Sequence, residues 1–416
     1  MIGVIADDLT GAAEIAGVGL RHGMRAEILI SGRPGAEADL VCINTESRSC
    51  SPREAGRRAA AAAKLFQQSK AAWIFKKVDS VLRGQIAPEI EAVMNQLHLK
   101  RALLAPANPS RGRVIKNGRY FIHDKPLNKT EFARDPEYPR QSSVVVKLLT
   151  QPKLFSISMA DWRSHLPDTG IVVAEVADAS DLDRWTARDL TGMLLAGGAE
   201  FFTALLRAKG CEESASRRVE TASARQSERA VGRSNGCSAR VANGERVIRD
   251  ARSGRAPREL FVCGTLSKAA RAFLSSARAS GTPVFSLPRE LVWGAEFTAA
   301  ASEIIGRKIV GAFENHSRVI LTVGLRTVRE RAVSMRLASH LAQLAGAVLR
   351  RVEVSRIYAE GGTTAAELAQ EMGWGRLQVL EELAPGVATL AVDGGSPMRL
   401  TIKPGSYLWP DRVRIG

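Results

Sequence analysis

Ile2-Gly3-Val4-Ile5-Ala6-Asp7-Asp8-Leu9-Thr10-Gly11 begins as an apolar run, breaks into two carboxylates and a Thr-Gly step, and passes into a helical pattern. The stretch reads as strand, acidic loop and helix start. In a parallel α/β sheet the loops at the carboxyl ends of the strands face one crevice, so Asp7 and Asp8 are candidates for ligand contact. The structural alternative is capping: Asp8 or Thr10 would close the first turn of the helix that starts near Gly11 and suit its dipole.

The same arrangement repeats along the first half. Strands are expected at 26–30, 39–44, 73–77 and 101–105, with helices at 52–68 and 87–97 between them, which is the βαβ rhythm of a parallel sheet covered on both faces. Polar loops then fall at one structural address. Asp7-Asp8 follows the first strand, Asn44-Thr45-Glu46-Ser47-Arg48 the third, Lys76-Lys77-Val78-Asp79-Ser80 with Arg83-Gly84 the fourth, and Ala107-Asn108-Pro109 the next. Arg48 and Arg83 can fork onto a carboxylate and the aspartates can hold hydroxyls, so the crevice suits a small, anionic, hydroxyl-rich ligand. Asn117-Gly118 supplies the positive φ angles of a two-residue hairpin turn, placed at the sheet edge. An element at 144–149, a strand at 171–177, a helix from 181 and a last helical piece at 198–207 complete this half.

Composition sets the outer limits. With 416 residues, 45% hydrophobic and 5% aromatic, the chain buries a sizeable core and divides into two or three domains. Five cysteines without a CxxC pair argue against a disulfide framework or zinc site and for a reducing compartment. No leader-like n-region and h-region precede the first strand, and no segment has the apolar length of a membrane span, so a cytoplasmic protein is expected. The net charge is +16, and residues 207–258 hold 13 Lys or Arg against 6 Asp or Glu. That stretch lacks aromatic residues and periodicity and reads as a solvated linker. It carries no nucleic-acid-binding signature, so specific nucleic-acid binding is not expected; the remaining positive excess suits anionic small molecules.

Beyond the linker a second α/β pattern starts at 259. Its first strand ends in Gly264-Thr265-Leu266-Ser267, where free N–H groups and a hydroxyl could meet an anion or Ser267 could simply cap a helix. Gly361-Gly362-Thr363-Thr364 follows another strand and precedes a helical pattern, offering close backbone approach, two hydroxyls and a positive helix end. Lys403-Pro404-Gly405-Ser406-Tyr407 leaves a third strand end. No GxxxxGK[ST] segment is present, so this is not a P-loop protein.

Taken together, Ala6-Asp7-Asp8-Leu9-Thr10-Gly11-Ala12, Lys76 to Gly84, Ala105-Pro106-Ala107-Asn108-Pro109, Gly361 to Ala365 and Lys403 to Tyr407 resemble the four-carbon acid sugar kinase family. The resemblance spans both halves in order and leaves out the linker. It implies an ATP-dependent kinase acting on threonate, erythronate or a 2-oxo derivative, built as an α/β protein of two domains, each with a mainly parallel sheet flanked by helices. The acid-sugar domain would be 1–206, the linker 207–258 and the nucleotide domain 259–416. It implies further that Asp8, Arg48 and the Lys77 to Ser80 segment, Asp79 included, face the acid sugar with Asp7 and Arg83 beside them, and that Ser267, Gly361, Gly362, Thr363, Thr364 and Gly405 face ATP. Phosphoryl transfer to a hydroxyl asks for one carboxylate to take its proton, and Asp8 is read as that catalytic base, with Asp7 and Asp79 sharing the rim. Mg²⁺ would arrive with ATP; a homo-oligomer is left open, and no metal ligands or definite oligomeric state are assigned. Two other classes stay open: a non-catalytic sensor of acid sugars, and a phosphatase with an aspartyl nucleophile, although the latter usually spaces its two Asp by one residue.

Overall fold

Residues 1–135, 137–213, 257–293, 297–324, 331–393, 397–405 and 407–413 are described by the computed structural model. Most of the basic linker, with Cys237, and the residues Pro136 and Ser406 lie outside the described residues. The first half runs β1 (Ile2–Ala6), α1 (Leu9–Arg21), β2 (Ala26–Leu29), β3 (Leu40–Asn44), α2 (Pro52–Gln68), β4 (Trp73–Lys77), α3 (Ile86–Gln96) and β5 (Arg101–Ala105). It continues through β6 (Arg113–Lys116), β7 (Arg119–Ile122), β8 (Lys125–Pro126), β9 (Ile157–Ala160), β10 (Gly170–Ala174), α4 (Ala179–Thr186), β11 (Met193–Gly197) and α5 (Ala199–Ala208). The second half runs β12 (Glu259–Cys263), α6 (Lys268–Ala279), β13 (Val284–Ser286), α7 (Ala299–Asn315), β14 (Arg318–Thr322) and α8 (Arg331–Leu349). It closes with β15 (Arg356–Glu360), α9 (Gly362–Glu371), β16 (Arg376–Ala384), β17 (Val387–Val392) and β18 (Arg399–Lys403).

Local chemistry accounts for these elements. The helix α2 starts where Ser51 accepts from Glu54 N (3.3 Å) with Pro52 in the first turn, and an alanine-rich run carries it forward. Phe66 on α2 is fully buried, as are Phe75 on β4 and Phe201 and Phe202 on α5; each contributes about 1.5–3 kcal/mol by leaving water. The α4 cap is Asp178, which accepts from Ser180 N (2.8 Å) and Asp181 N (3.2 Å), so the helix begins two residues before the Asp181 start read from the sequence.

The two halves do not keep separate sheets. One 15-stranded sheet has the order β13-β14-β12-β15-β18-β17-β16-β2-β3-β1-β4-β11-β5-β10-β9. It is parallel except at the seam, where β16 pairs antiparallel with β2 and β17, and β17 with β18. The α/β, mainly parallel character is as expected; the hairpin β16–β17 adds the join, which the alternation of strands and helices could not announce. The strands β9 and β11 were not foreseen, and β11 inserts between β4 and β5. Residues 144–149 hold only the 3₁₀ turn Val145–Lys147. The hairpin turn is as read, with φ of 49° at Asn117 and 69° at Gly118, but its strands form a separate three-stranded sheet, β6-β7-β8, rather than an edge of the large one.

Register fixes the functional rim. Ala6 lies level with Asn44 and Lys77, Lys77 with Gly197, and Gly197 with Ala105, so the loops after β1, β3, β4, β11 and β5 leave the sheet along one line. In the second half Cys263, Glu360 and Lys403 are likewise level.

Candidate active site

The loops along the first line interlock through charge. Arg48 donates through Nε to Asp7 Oδ2 (2.7 Å), through Nη2 to Asp7 Oδ1 (3.0 Å) and through Nη1 to Asp8 Oδ2 (2.6 Å). Its Nη2 also lies 3.9 Å from Asp79 Oδ1. Burial opposes the charge on Arg48, but Asp7, Asp8 and Asp79 outweigh it and hold the guanidinium well above its ordinary pKa. Burial likewise works against ionised Asp7, and the charge and hydrogen bonds of Arg48 win, lowering its pKa. Asp79 is held well below the usual carboxylate range against burial, because Arg83 grips it through Nε (3.0 Å) and Nη2 (2.8 Å).

Asp8 takes the capping role offered by the sequence and stands at the rim. It is the N-cap of α1, accepting from Gly11 N (2.7 Å) and from the Thr10 hydroxyl (2.6 Å). Lys77 is buried with Nζ 3.0 Å from Glu14 Oε2 on α1; burial disfavours its charge, and Glu14, Asp8 and Asp7 raise its pKa nonetheless. Ser80 accepts a hydrogen bond at its hydroxyl from Arg113, and its carbonyl accepts from the Tyr120 hydroxyl. Arg83 is committed to Asp79 and to Asp135 (3.3 Å), so its fork closes a loop rather than standing open.

The second line of loops is built from backbone and small residues. Ser267 caps α6 by accepting from Ala270 N (3.1 Å) and donates to Gly405 O (2.7 Å), tying the ends of β12 and β18 together. A Cβ on Gly264 would fall 1.7 Å from Thr364 Oγ1, so the β12 loop and the first turn of α9 are in close contact. Gly361 precedes α9 with φ of 99°, and no side chain caps that helix. Gly362 faces the first half: a Cβ there would lie 3.1 Å from Asp8 Oδ2 and 3.3 Å from Thr10 Oγ1. The glycine turn of one half therefore abuts the acidic loop of the other.

Several charged residues at the rim were quoted or passed over without a role. Glu46 has φ of 44° and takes a hydrogen bond from Asn44 Nδ2 (3.0 Å); burial, and then the charges of Asp8 and Asp7, push its pKa up to about 7 against the opposing Asn44 and Arg48. Glu360 ends β15 fully buried, 3.2 Å from Lys403 Nζ, and burial raises it to about 7 while lowering Lys403. Arg111 reaches from the loop after β5 to the Tyr407 hydroxyl and to Pro385 O (3.2 Å) in the other half. The alternation Arg111-Gly112-Arg113 just past a strand end was the available signal. Among the described residues no group of three or more His, Cys, Asp or Glu is placed to hold a metal ion, and no helix is long and apolar enough to cross a membrane. A hollow of about 550 Å³ at the seam, bordered by Glu27, Gln378 and Arg399, includes none of the residues on the two lines of loops.

A family model described as a sugar-binding N-terminal domain matches residues 2–205, and one described as a nucleotide-binding C-terminal domain matches residues 260–407. The chain is 32% identical to the D-threonate kinase of Salmonella typhimurium over 43% of its own length and 46% of that relative's, so this alignment spans less than half of the relative. It is 26% identical to the 3-oxo-tetronate kinase of Pseudomonas fluorescens over 98% of this chain and 94% of the relative. The solved structure of Haemophilus influenzae protein HI1011, from the DUF1537 family, shares the fold with a TM-score of 0.64 and 19% identity, covering 98% of this chain and 97% of that one. With both domain models matched in order and relatives of this kind, the chain belongs to the four-carbon acid sugar kinase family.

Proposed function

We propose that the protein transfers the γ-phosphoryl group of ATP to a hydroxyl of a four-carbon acid sugar. The relatives' names point to threonate, erythronate or 3-oxo-tetronate as acceptor, the oxo acid in those names being the 3-oxo isomer rather than the 2-oxo one implied by the resemblance. Residues 1–206 would bind the acid sugar, 259–416 the nucleotide, and 207–258 would link them. The observation that carries this reading is the abutment of Gly362 on Asp8 and Thr10, since it sets a phosphate-compatible glycine turn against an acidic, hydroxyl-binding loop.

Phosphoryl transfer asks chiefly for positioning and charge neutralisation. Gly361, Gly362, Thr363 and Thr364 would offer N–H groups and hydroxyls to the phosphates at the start of α9, with Ser267 and Gly405 shaping the neighbouring loops. Mg²⁺ would accompany ATP as part of the substrate and supply charge neutralisation on the phosphates. On the acceptor side Asp7, Arg48, Lys77, Asp79, Ser80 and Arg83 would form the wall, and Asp8 would take the hydroxyl proton as the bond to phosphorus forms.

The test is ATP consumption by purified protein with Mg²⁺ and a panel of D- and L-threonate, D- and L-erythronate and 3-oxo-tetronate. At least one acid should stimulate turnover, and Asp8→Asn should lower kcat far more than it weakens acid-sugar binding. No stimulation by any of them would remove the kinase reading.

A further inference from the structure

Among the described residues most cations around the acid-sugar crevice are paired with a carboxylate; Arg140, beside them, spends its donors on the Tyr138 and Leu82 carbonyls. Arg48 is paired with Asp7 and Asp8, Arg83 with Asp79 and Asp135, Lys77 with Glu14, and Lys76 with Glu89 (2.8 Å). Arg111 is spent on the contact between the halves. Arg113 makes no ion pair with an Asp or Glu among the described residues: the Glu14 carboxylate feels its charge only at longer range, and its side chain hydrogen-bonds to the neutral hydroxyl of Ser80.

Its position is well fixed. Asn108, just past the end of β5, brackets Arg113 by donating its N–H to Arg113 O (2.8 Å) and accepting from Arg113 N (3.1 Å). The guanidinium carbon stands 5.6 Å from the centre of the Phe132 ring, which also lies 6.0 Å from the guanidinium carbon of Arg83. The residue is half-buried, so the head group is partly withdrawn from water yet reachable. A guanidinium has five N–H donors in a planar fork, and the bond to Ser80 leaves an edge that fits a carboxylate. A partly desolvated cation without a direct ion pair, beside paired ones, attracts a ligand of one negative charge.

We infer that Arg113, with the Ser80 hydroxyl beside it, binds the carboxylate of the acid sugar and so selects acids over neutral polyols. This rests on the acid-sugar reading above. Arg83, by contrast, fixes Asp79 and the loop after β4.

Equilibrium binding, measured calorimetrically without ATP, tests the assignment. The probes are D-threonate and D-erythronate against threitol and erythritol, which keep the carbon chain and exchange the carboxylate for a hydroxymethyl group. Arg113→Gln should raise the Kd of the acid about 10- to 100-fold, the loss expected for a charged, forked pair, and change that of the tetritol less than about twofold. Arg113→Lys, which keeps the charge and loses the fork, should fall between; it carries the test alone if the Gln variant does not fold. An unchanged Kd for the acid, or equal weakening of acid and tetritol, overturns the assignment. Wild-type protein that binds acid sugars without consuming ATP overturns the kinase reading and not this one, and wild-type protein that binds neither these probes nor 3-oxo-tetronate overturns both.

Discussion

The two rims of the crevice are made of different materials. In the first half, Asp7, Asp8 and Asp79 converge on Arg48, so position is held by ion pairs whose partners come from three strand ends. In the second half, Gly264 meets Thr364, Ser267 holds Gly405, and Gly361–Gly362 turn into an uncapped helix, so position is held by backbone approach. A rim that must grip hydroxyls and a carboxylate at fixed angles gains from directional charged side chains. A rim that must take phosphate oxygens gains from bare N–H groups, which side-chain bulk would block. Each half also holds one carboxyl raised to about 7, but Glu46 stands half-buried beside other acids, whereas Glu360 is fully buried beside Lys403.

The contrast breaks most sharply at Arg48. Arg48→Met keeps much of the side-chain length and leaves Asp7 and Asp8 without their ion-pair partner, and breaking a buried ionic cluster in this way costs about 3–5 kcal/mol. Urea denaturation should show that loss, and a change below about 1 kcal/mol would mean that the first rim does not depend on charge matching. At the second rim one methyl group should suffice. Gly264→Ala forces a Cβ onto the Thr364 hydroxyl, and such overpacking costs about 1–3 kcal/mol; ATP affinity should fall with it while acid-sugar affinity stays near wild type. Equal loss of both ligands would show that the rims act as one unit.

The smallest effect is in pH dependence. Glu46 titrates near 7 in the folded chain and near 4.5 ordinarily, so the folded state binds its proton more readily than the unfolded state does. Its contribution to stability is complete below about pH 4.5 and is lost as pH rises through about 7. Glu360 acts in the same direction. Asp7 and Asp79, whose pKa values are lowered, contribute above the ordinary carboxylate range and lose that contribution in acid. Glu46→Gln should therefore flatten the fall in stability between pH 5 and pH 8, the remaining slope coming from Glu360 and the other raised carboxyls Glu89, Glu200 and Glu382, opposed by His22 and His340, whose pKa values burial lowers. An unaltered slope, followed by urea midpoints across that range, would show that Glu46 is not the group that distinguishes the first rim.

The alternation of apolar runs with helical periods determined the α/β class and most element positions, and the polar residues at strand ends determined which loops to watch. Those features are local: strand register carries each loop to the same rim whatever the partners are. Local patterning also made Asp8 legible as a cap and a rim residue at once. The tertiary structure alone decided the rest. That β16 would pair with β2 and join two sheets depends on which edges are free, and that β11 would lie between β4 and β5 depends on chain routing. Whether an arginine is available to a ligand depends on the carboxylates brought near it. Arg83 and Arg113 are both arginines near strand ends in the sequence, yet folding sets Asp79 and Asp135 against the first, and against the second a serine hydroxyl and the Phe132 ring with no ion pair among the described residues. The charge on a side chain is written in the sequence, but its neutralisation is a property of distance.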